Sequence, residues 1–123
     1  MSKQILTVDD SPSVRKLVQF ALKSKGFDVA SAGDGVEALE LLAKERFDAI
    51  VLDINMPHMD GLEFLRKIKS DQLYSSIPVI MLTTEGQERD KDKAIELGAT
   101  AYIVKPFKPT QLLVLVDEML ASS

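Results

Sequence analysis

Short apolar runs alternate along the chain with stretches whose apolar residues recur every three or four positions. The runs occupy residues 5–8, 27–30, 49–52, 78–82 and 101–104. The run at 49–52 lacks polar alternation, which is typical of a strand covered on both faces, as in a parallel sheet flanked by helices. A short buried helix would show the same pattern, but a run of four residues favours the strand. The pattern predicts five strands, each followed by a helix.

Each strand is followed by signals of a helix. Ser11 and Pro12 suit a cap and a first helical turn, and Asp34 with Glu37 resembles a capping box. Residues 85–93 are almost wholly polar, so we expect the fourth helix to pack shallowly and to be mobile. The predicted apolar stripes are, in helix order, Val14, Leu17, Val18, Ala21 and Leu22; Val36, Leu39, Leu42 and Ala43; Leu62, Leu65 and Ile68; Ala94, Ile95 and Leu97; and Leu112, Val116, Met119 and Leu120.

This alternation, with short connections, implies right-handed crossovers between parallel strands. The predicted fold is α/β, a doubly wound five-stranded parallel sheet in the flavodoxin-like order 2-1-3-4-5, flanked by five helices. In that order the carboxyl ends of strands one and three lie side by side. Open α/β sheets bind their ligands at this edge.

Polar residues follow four of the five predicted strands at that edge. Asp9 and Asp10 follow the first, Asp53 the third, Thr83 the fourth and Lys105 the fifth. Crowded carboxylates resist joint ionisation unless a cation is present, and their hard oxygen atoms suit Mg²⁺. A metal held by few protein ligands leaves positions for phosphate oxygens, which a lysine and a hydroxyl can also bind. Asp53 is the natural nucleophile, because a carboxylate can form an acyl phosphate without a separate base.

Composition narrows the remaining possibilities. The chain has 123 residues, of which 46% are hydrophobic and 28% charged, as in one globular domain. A formal net charge of −4 provides no basic field for nucleic acid or anionic lipid. The chain has no cysteine, and no apolar run reaches the length of a signal or a membrane span. We expect a soluble cytoplasmic protein that neither binds nucleic acid nor inserts into a membrane.

The residues at these strand ends, with Pro106 after Lys105, resemble the response-regulator receiver family, and most of all its single-domain, CheY-like chemotaxis members. The resemblance implies that Asp53 accepts a phosphoryl group from a phosphohistidine of a sensor histidine kinase. It further implies that Lys105 pairs with the phosphoryl oxygens and that the bond from Lys105 to Pro106 is cis. Implied ligands of Mg²⁺ are Asp9, Asp10, Asp53 and the backbone carbonyl of Asn55.

The same resemblance implies a switch and an output surface. Thr83 would move toward the phosphoryl group and Tyr102 would turn inward, which changes the surface of helix four, strand five and helix five. Asn55 and Glu85 match residue types that set how fast water reaches the acyl phosphate, and the bulk of Thr84 is expected to slow it. On helix five, Val114 points away from the core and Leu113 lies on the flank, so both are predicted to contact a partner.

We therefore predict a stand-alone receiver over residues 1–123, without an output domain, that acts as a monomer and is not an enzyme. A CheA-like kinase would be the phosphodonor and a flagellar motor switch component the target. A phosphate sink and an adaptor in another phosphorelay are the alternatives that also fit a lone receiver. Two other classes remain: a Mg²⁺-dependent phosphohydrolase with an aspartate nucleophile, although the chain has no cap domain, and a phosphate-independent binding module, although the acid set is intact.

Simpler interpretations exist for each residue taken alone. Asp9 and Asp10 could only cap a helix, Thr83 could only end a strand, and Tyr102 could only pack. Lys105 could be a solvated surface lysine, and a lone histidine in a polar loop, such as His58, is usually solvated. The combination of all these positions at one predicted edge carries the functional interpretation.

Overall fold

Within the residues that the structure describes, 2–56, 59–84, 86 and 88–121, five strands form one sheet in the computed structural model. They are β1 (Gln4–Val8), β2 (Asp28–Ala32), β3 (Ala49–Asp53), β4 (Val79–Thr84) and β5 (Ala101–Lys105). All neighbouring strands pair in parallel, in the order β2-β1-β3-β4-β5. The predicted fold class and strand order are confirmed.

Five helices cover the two faces of this sheet in the described part of the chain: α1 (Pro12–Ser24), α2 (Gly35–Lys44), α3 (Gly61–Lys69), α4 (Glu88–Glu96) and α5 (Pro109–Ala121). Buried side chains of α2, α3 and α4 pack on one face of the sheet, and those of α1 and α5 pack on the other. Among the described residues, none of the helices combines the length and apolar character that a membrane crossing requires.

Side chains fix where the helices begin. The Ser11 hydroxyl accepts a hydrogen bond from the Val14 amide at 3.3 Å, and Asp34 accepts one from the Glu37 amide at 2.8 Å. Glu37 reaches back to accept from the amide of Gly33, the residue before the cap, at 3.2 Å, so a variant of the predicted capping box is present. These caps place the first turns of α1 and α2 directly beside the ends of β1 and β2.

Four predicted stripe positions are wrong about burial. Leu17, Val36 and Ile95 are 40%, 48% and 45% exposed, and Ala43 is exposed as well. By contrast, Val18, Ala38 and Ala94 on the same helices are buried. The reason is geometric, because a helix on a sheet buries a narrow stripe and residues on its flank stay partly in water. Ala94 is the one fully buried described side chain of α4, which agrees with the expected shallow packing of this helix.

Thr7 carries a buried hydroxyl in β1, an inner strand of the sheet. Its side chain is fully buried, and its Oγ1 has no hydrogen-bond partner within the described residues. Burying an unpaired hydroxyl costs free energy, and valine has the same shape without it. We expect Thr7→Val to raise the free energy of unfolding by about 1 kcal/mol in urea denaturation.

A matched control is Thr100→Val, because the Thr100 hydroxyl accepts a hydrogen bond from the Val79 amide at 3.3 Å. That substitution removes a used acceptor and should lower the stability. A lower stability of Thr7→Val would instead mean that this hydroxyl has a partner in solution.

Candidate functional site

The predicted site residues converge at the carboxyl edge of the sheet. Asp9 directly follows β1, Asp53 is the last residue of β3, and Lys105 is the last residue of β5. Asp9 is fully buried, and Asp53 and Thr83 are 3% and 2% exposed. Thr83 lies opposite Val104 in the pairing of β4 with β5. The parallel topology thus brings residues from both ends of the sequence into one pocket.

Lys105 joins two carboxylates of this pocket. Its Nζ lies 3.1 Å from Asp9 Oδ2 and 3.2 Å from Asp53 Oδ1. The lysine thus extends from the edge strand β5, past β4, to groups at the ends of β1 and β3. Its ammonium compensates part of the negative charge that these buried acids would otherwise share.

The pocket perturbs the ionisation of both partners. Burial and the neighbouring Asp9 raise the pKa of Asp53 to about 6 from 3.8, although Lys105 and the Asn55 amide oppose this shift. For Lys105, burial lowers the pKa, but the carboxylates of Asp53 and Asp9 outweigh it and leave the pKa above 10.5. At neutral pH, Asp53 is therefore mostly an anion and Lys105 a cation.

Three carboxylates are arranged so that they could share one cation. Asp9, Asp10 and Asp53 each offer an oxygen, and these oxygens lie within 4.8 Å of one another. Asp9 and Asp53 are buried, whereas Asp10 is exposed at the mouth of the pocket. An all-oxygen donor set with one open side fits Mg²⁺, which keeps several waters. After burial, the negative charge of Asp9 is the next cause of the raised pKa of Asp53, and a divalent cation between these acids would relieve that repulsion.

Backbone groups hold the carboxylates in place. The Ser11 amide donates to Asp9 Oδ1 at 2.9 Å, and the Asn55 amide donates to Asp53 Oδ1 at 3.3 Å. The Asn55 side chain is exposed, and its amide group donates to Thr84 Oγ1 at 3.5 Å. That Asn55 also offers its carbonyl to a metal stays a prediction.

The start of α3 lies against the backbone of Asp53. The Gly61 amide donates to the Ile54 carbonyl at 2.8 Å. A Cβ at Gly61 would lie 2.3 Å from the Asp53 carbonyl oxygen and 2.7 Å from the Ile54 Cα. Only glycine allows this close approach, which fixes the backbone that carries the central carboxylate.

The predicted switch residues lie on neighbouring strands, Thr83 on β4 and Tyr102 on β5. Tyr102 is 38% exposed, and the Lys91 Nζ of α4 lies 4.5 Å from the centre of its ring, in reach of a cation–π interaction. The structure thus has Tyr102 directed outward while Thr83 is buried at the pocket. The peptide bond between Lys105 and Pro106 is cis.

A groove of about 520 Å³ runs beside Tyr102 between β5 and α5. Of the two residues predicted to contact a partner, Val114 lines this groove and is 55% exposed. Leu113 is half-buried and packs against the core between the sheet, α1 and α5. The structure therefore favours Val114 over Leu113 as a surface residue. The predictions that concern Glu85 and His58 lie outside the described residues.

Two further residues near the site were not singled out from the sequence. The Arg15 guanidinium donates to the Asp9 carbonyl, and Lys91 contacts Tyr102. Both contacts join different elements, so the helical pattern gave no sign of them. The available signal for Arg15 was its place one turn after the Ser11 cap, beside the acid pair.

Comparison with known proteins identifies the class. The chain matches the model of the response regulator receiver domain over residues 5–117. The structure of the chemotaxis response regulator CheY4 of Vibrio cholerae is similar with a TM-score of 0.91 at 41% identity, over 98% of this chain and 100% of that one. A receiver domain of the sensor histidine kinase PA1611 from Pseudomonas aeruginosa PAO1, solved with magnesium coordinated in its active site cleft, has a TM-score of 0.89 at 28% identity, over 98% and 99% of the two chains.

Among curated proteins, the alkaline phosphatase synthesis transcriptional regulatory protein PhoP of Bacillus subtilis is 41% identical over 100% of this chain and 50% of its own length. The chain spans about half of the length of the curated relatives it matches.

The acidic pocket with a lysine at the carboxyl edge of a parallel α/β sheet, together with the match to the receiver domain, identifies a phosphoacceptor signalling domain. The chain belongs to the response regulator receiver domain family. Receiver domains take a phosphoryl group from histidine kinases, bind Mg²⁺ at an acidic pocket and pass the signal to downstream targets, and they are not enzymes.

Proposed function

We propose that this receiver accepts a phosphoryl group on Asp53 from a sensor histidine kinase with the help of Mg²⁺, and then presents a changed surface of α4, β5 and α5 to a target protein. The observation that carries the proposal is the cluster of the buried acids Asp9 and Asp53 with the half-buried Lys105, in which the lysine contacts both acids. Asp10 completes the acidic group at the mouth of the pocket.

In the proposed transfer, an Asp53 carboxylate oxygen attacks the phosphorus of a phosphohistidine. The new P–O bond forms as the P–N bond breaks, and the electron pair returns to the imidazole nitrogen of the kinase. With a pKa of about 6, Asp53 is mostly ionised at neutral pH and needs no separate base. Lys105, already 3.2 Å from Asp53 Oδ1, is placed to pair with an oxygen of the transferred group.

Mg²⁺ would be held by Asp9, Asp10 and Asp53, with the Asn55 carbonyl as the further predicted ligand. When bound, it supplies positive charge that neutralises the phosphoryl oxygens. The buried Thr83 hydroxyl is at the right edge to bind a phosphoryl oxygen, and its movement would leave room behind it for Tyr102 to turn inward. The resulting change of α4 is favoured by its shallow anchoring through Ala94.

The proposed target lies in chemotaxis or motility signalling, which the 41% identity to CheY4 of Vibrio cholerae supports. An equal identity to the transcriptional regulatory protein PhoP supports a second candidate, control of gene expression. A phosphorylation-dependent affinity for a flagellar motor switch peptide would support the first over the second. Stand-alone action as a monomer in the cytoplasm stays a prediction.

Intact mass spectrometry after incubation with acetyl phosphate tests the acceptor role. We expect a gain of one phosphoryl group per chain in the presence of Mg²⁺ and little or none with a chelator. The adduct should be removed by hydroxylamine, which cleaves an acyl phosphate but not a phosphoserine or phosphothreonine. A folded protein without an adduct would favour a phosphate-independent binding module, and continuous release of phosphate from many esters would favour a hydrolase.

A further inference from the structure

Arg15 contacts the backbone of the acid pair from the first turns of α1. Its Nη1 donates a hydrogen bond to the Asp9 carbonyl oxygen at 3.1 Å. The side chain is half-buried, whereas the neighbouring Lys16 is exposed. The guanidinium thus binds at the junction between β1 and α1, where Asp9 and Asp10 follow one another.

Gly33, just after β2, provides the space for this contact. A Cβ at position 33 would lie 2.7 Å from Arg15 Nη1, which is too close for any ordinary contact. The obstructed atom is the tip of a flexible side chain, so a methyl group there would displace the guanidinium rather than the backbone. The arginine therefore reaches Asp9 through space that a Cβ at position 33 would occupy.

With the Arg15 contact, every polar atom of Asp9 has a hydrogen-bond partner. Its amide donates to the Ala32 carbonyl at 3.1 Å, its Oδ1 accepts from Ser11, and its Oδ2 accepts from Lys105 at 3.1 Å. Arg15 binds the remaining polar atom, the carbonyl oxygen. That carbonyl belongs to the peptide group shared with Asp10, so its orientation sets the direction in which the exposed Asp10 leaves the backbone.

We propose that Arg15 is a positioning residue for Mg²⁺: it holds the Asp9–Asp10 peptide group so that the Asp10 carboxylate points toward those of Asp9 and Asp53. This inference rests on the proposed function, since it concerns the metal that the acceptor needs. Gly33 permits this contact, because the absence of a side chain leaves the Arg15 guanidinium room to reach the Asp9 carbonyl.

Charge and position predict opposite effects of removing Arg15. A cation near the pocket repels Mg²⁺, so the loss of its charge alone should tighten metal binding. The loss of a positioning contact should weaken Mg²⁺ binding. Removal of outer contacts that orient metal ligands commonly lowers the affinity for the metal by about tenfold. The sign of the change therefore separates the two roles.

Isothermal titration calorimetry with MgCl₂ at pH 7 and constant ionic strength measures this sign. We expect Arg15→Met to weaken Mg²⁺ binding by about tenfold. The matched control Lys16→Met removes the same charge from the adjacent exposed position and should leave the affinity unchanged or slightly tighter. Gly33→Ala keeps the net charge and should weaken binding in the same direction as Arg15→Met.

The double variant Arg15→Met/Gly33→Ala tests whether both changes act through one contact. If Gly33→Ala acts by displacing Arg15, the double variant should bind Mg²⁺ no more weakly than Arg15→Met alone. Circular dichroism melts identify variants that are folded at the titration temperature. Arg15→Lys keeps the charge and the ability to donate a hydrogen bond, so it should recover part of the affinity.

Equal or tighter Mg²⁺ binding by folded Arg15→Met would overturn the positioning role while the natural chain still binds the metal, and the proposed function would stand. Fully additive losses in the double variant would overturn the link to Gly33. Absence of Mg²⁺ binding by the natural chain would overturn both the inference and the metal site of the proposed function.

Discussion

Asp53→Asn is expected to abolish the uptake of a phosphoryl group from acetyl phosphate in the presence of Mg²⁺. Asparagine has nearly the shape of the acid but lacks the anionic oxygen that attacks phosphorus. The remaining acids, Asp9 and Asp10, lie at the same edge, so the experiment also asks whether either can replace Asp53. Intact mass gives the result, and an adduct of normal yield on the variant would remove Asp53 from the mechanism.

The same variant should be more stable than the natural chain above pH 6 when Mg²⁺ is absent. The folded-state pKa of Asp53, about 6, exceeds its ordinary value of 3.8. Between these two pH values the folded state therefore binds more protons than the unfolded state. The stability that Asp53 contributes is therefore present at low pH and is lost as the pH rises from about 4 to about 6. Above that window the penalty is on the order of 2 to 3 kcal/mol, since one pKa unit corresponds to about 1.4 kcal/mol.

Urea denaturation of both proteins between pH 4 and pH 8 measures this difference. The difference in free energy of unfolding between Asp53→Asn and the natural chain should grow from about pH 4 to about pH 6 and then stay constant. Mg²⁺ should reduce this difference by stabilising the natural chain. A difference in free energy of unfolding that does not depend on pH would mean that ionisation of Asp53 does not cause the destabilisation.

Gly61→Ala is expected to destabilise the domain by about 3 kcal/mol or more and to reduce phosphoryl uptake at least tenfold. The added methyl group would lie 2.3 Å from the Asp53 carbonyl oxygen and 3.0 Å from the Asp53 carbonyl carbon. These are backbone atoms, so no rotamer change can relieve the contact. Either α3 must move away from β3 or the backbone that carries the acceptor must shift.

Gly26→Ala is the control for this substitution. Gly26 has a φ of 88°, and a Cβ there would meet nothing within 4 Å. The control should lose about 1 kcal/mol through backbone strain alone and should keep normal uptake. Urea denaturation measures the loss of stability of both variants, and intact mass measures their phosphoryl uptake. Backbone strain alone lowers only the stability, whereas displacement of Asp53 lowers the uptake as well. Equal losses of stability with normal uptake in both would show that the junction of β3 and α3 moves apart easily.

The fold was predictable because local patterns and topology agree. Unbroken apolar runs such as 49–52 indicate strands covered on both faces, and the caps at Ser11 and Asp34 indicate where helices begin. Once the order 2-1-3-4-5 is assumed, the strand ends must meet, and Asp9, Asp53 and Lys105 do lie together.

What the sequence left open depends on tertiary distances. The helical period placed Leu17 and Val36 on apolar stripes, but the width of the buried stripe is set by how each helix lies on the sheet. The approach of Gly61 to the Asp53 backbone and the space that Gly33 leaves for Arg15 depend on tenths of an ångström. The unpaired hydroxyl of Thr7 likewise reflects the absence of a nearby acceptor or donor among the described residues, which no spacing reveals.

The division of the core by the sheet has a consequence for signalling. Ala94 anchors α4 in the core shared with α2 and α3, whereas Leu112 and Val116 anchor α5 in the core shared with α1. In the proposed function, a partner that contacts α4 and α5 together would therefore span two helices anchored in separate cores, so that α4 could move while the packing of α5 stays intact. A target that binds one position of α4 more tightly must, by reciprocity, favour the state of the acceptor pocket that goes with that position. Binding of the target would then stabilise the corresponding state of the acceptor pocket.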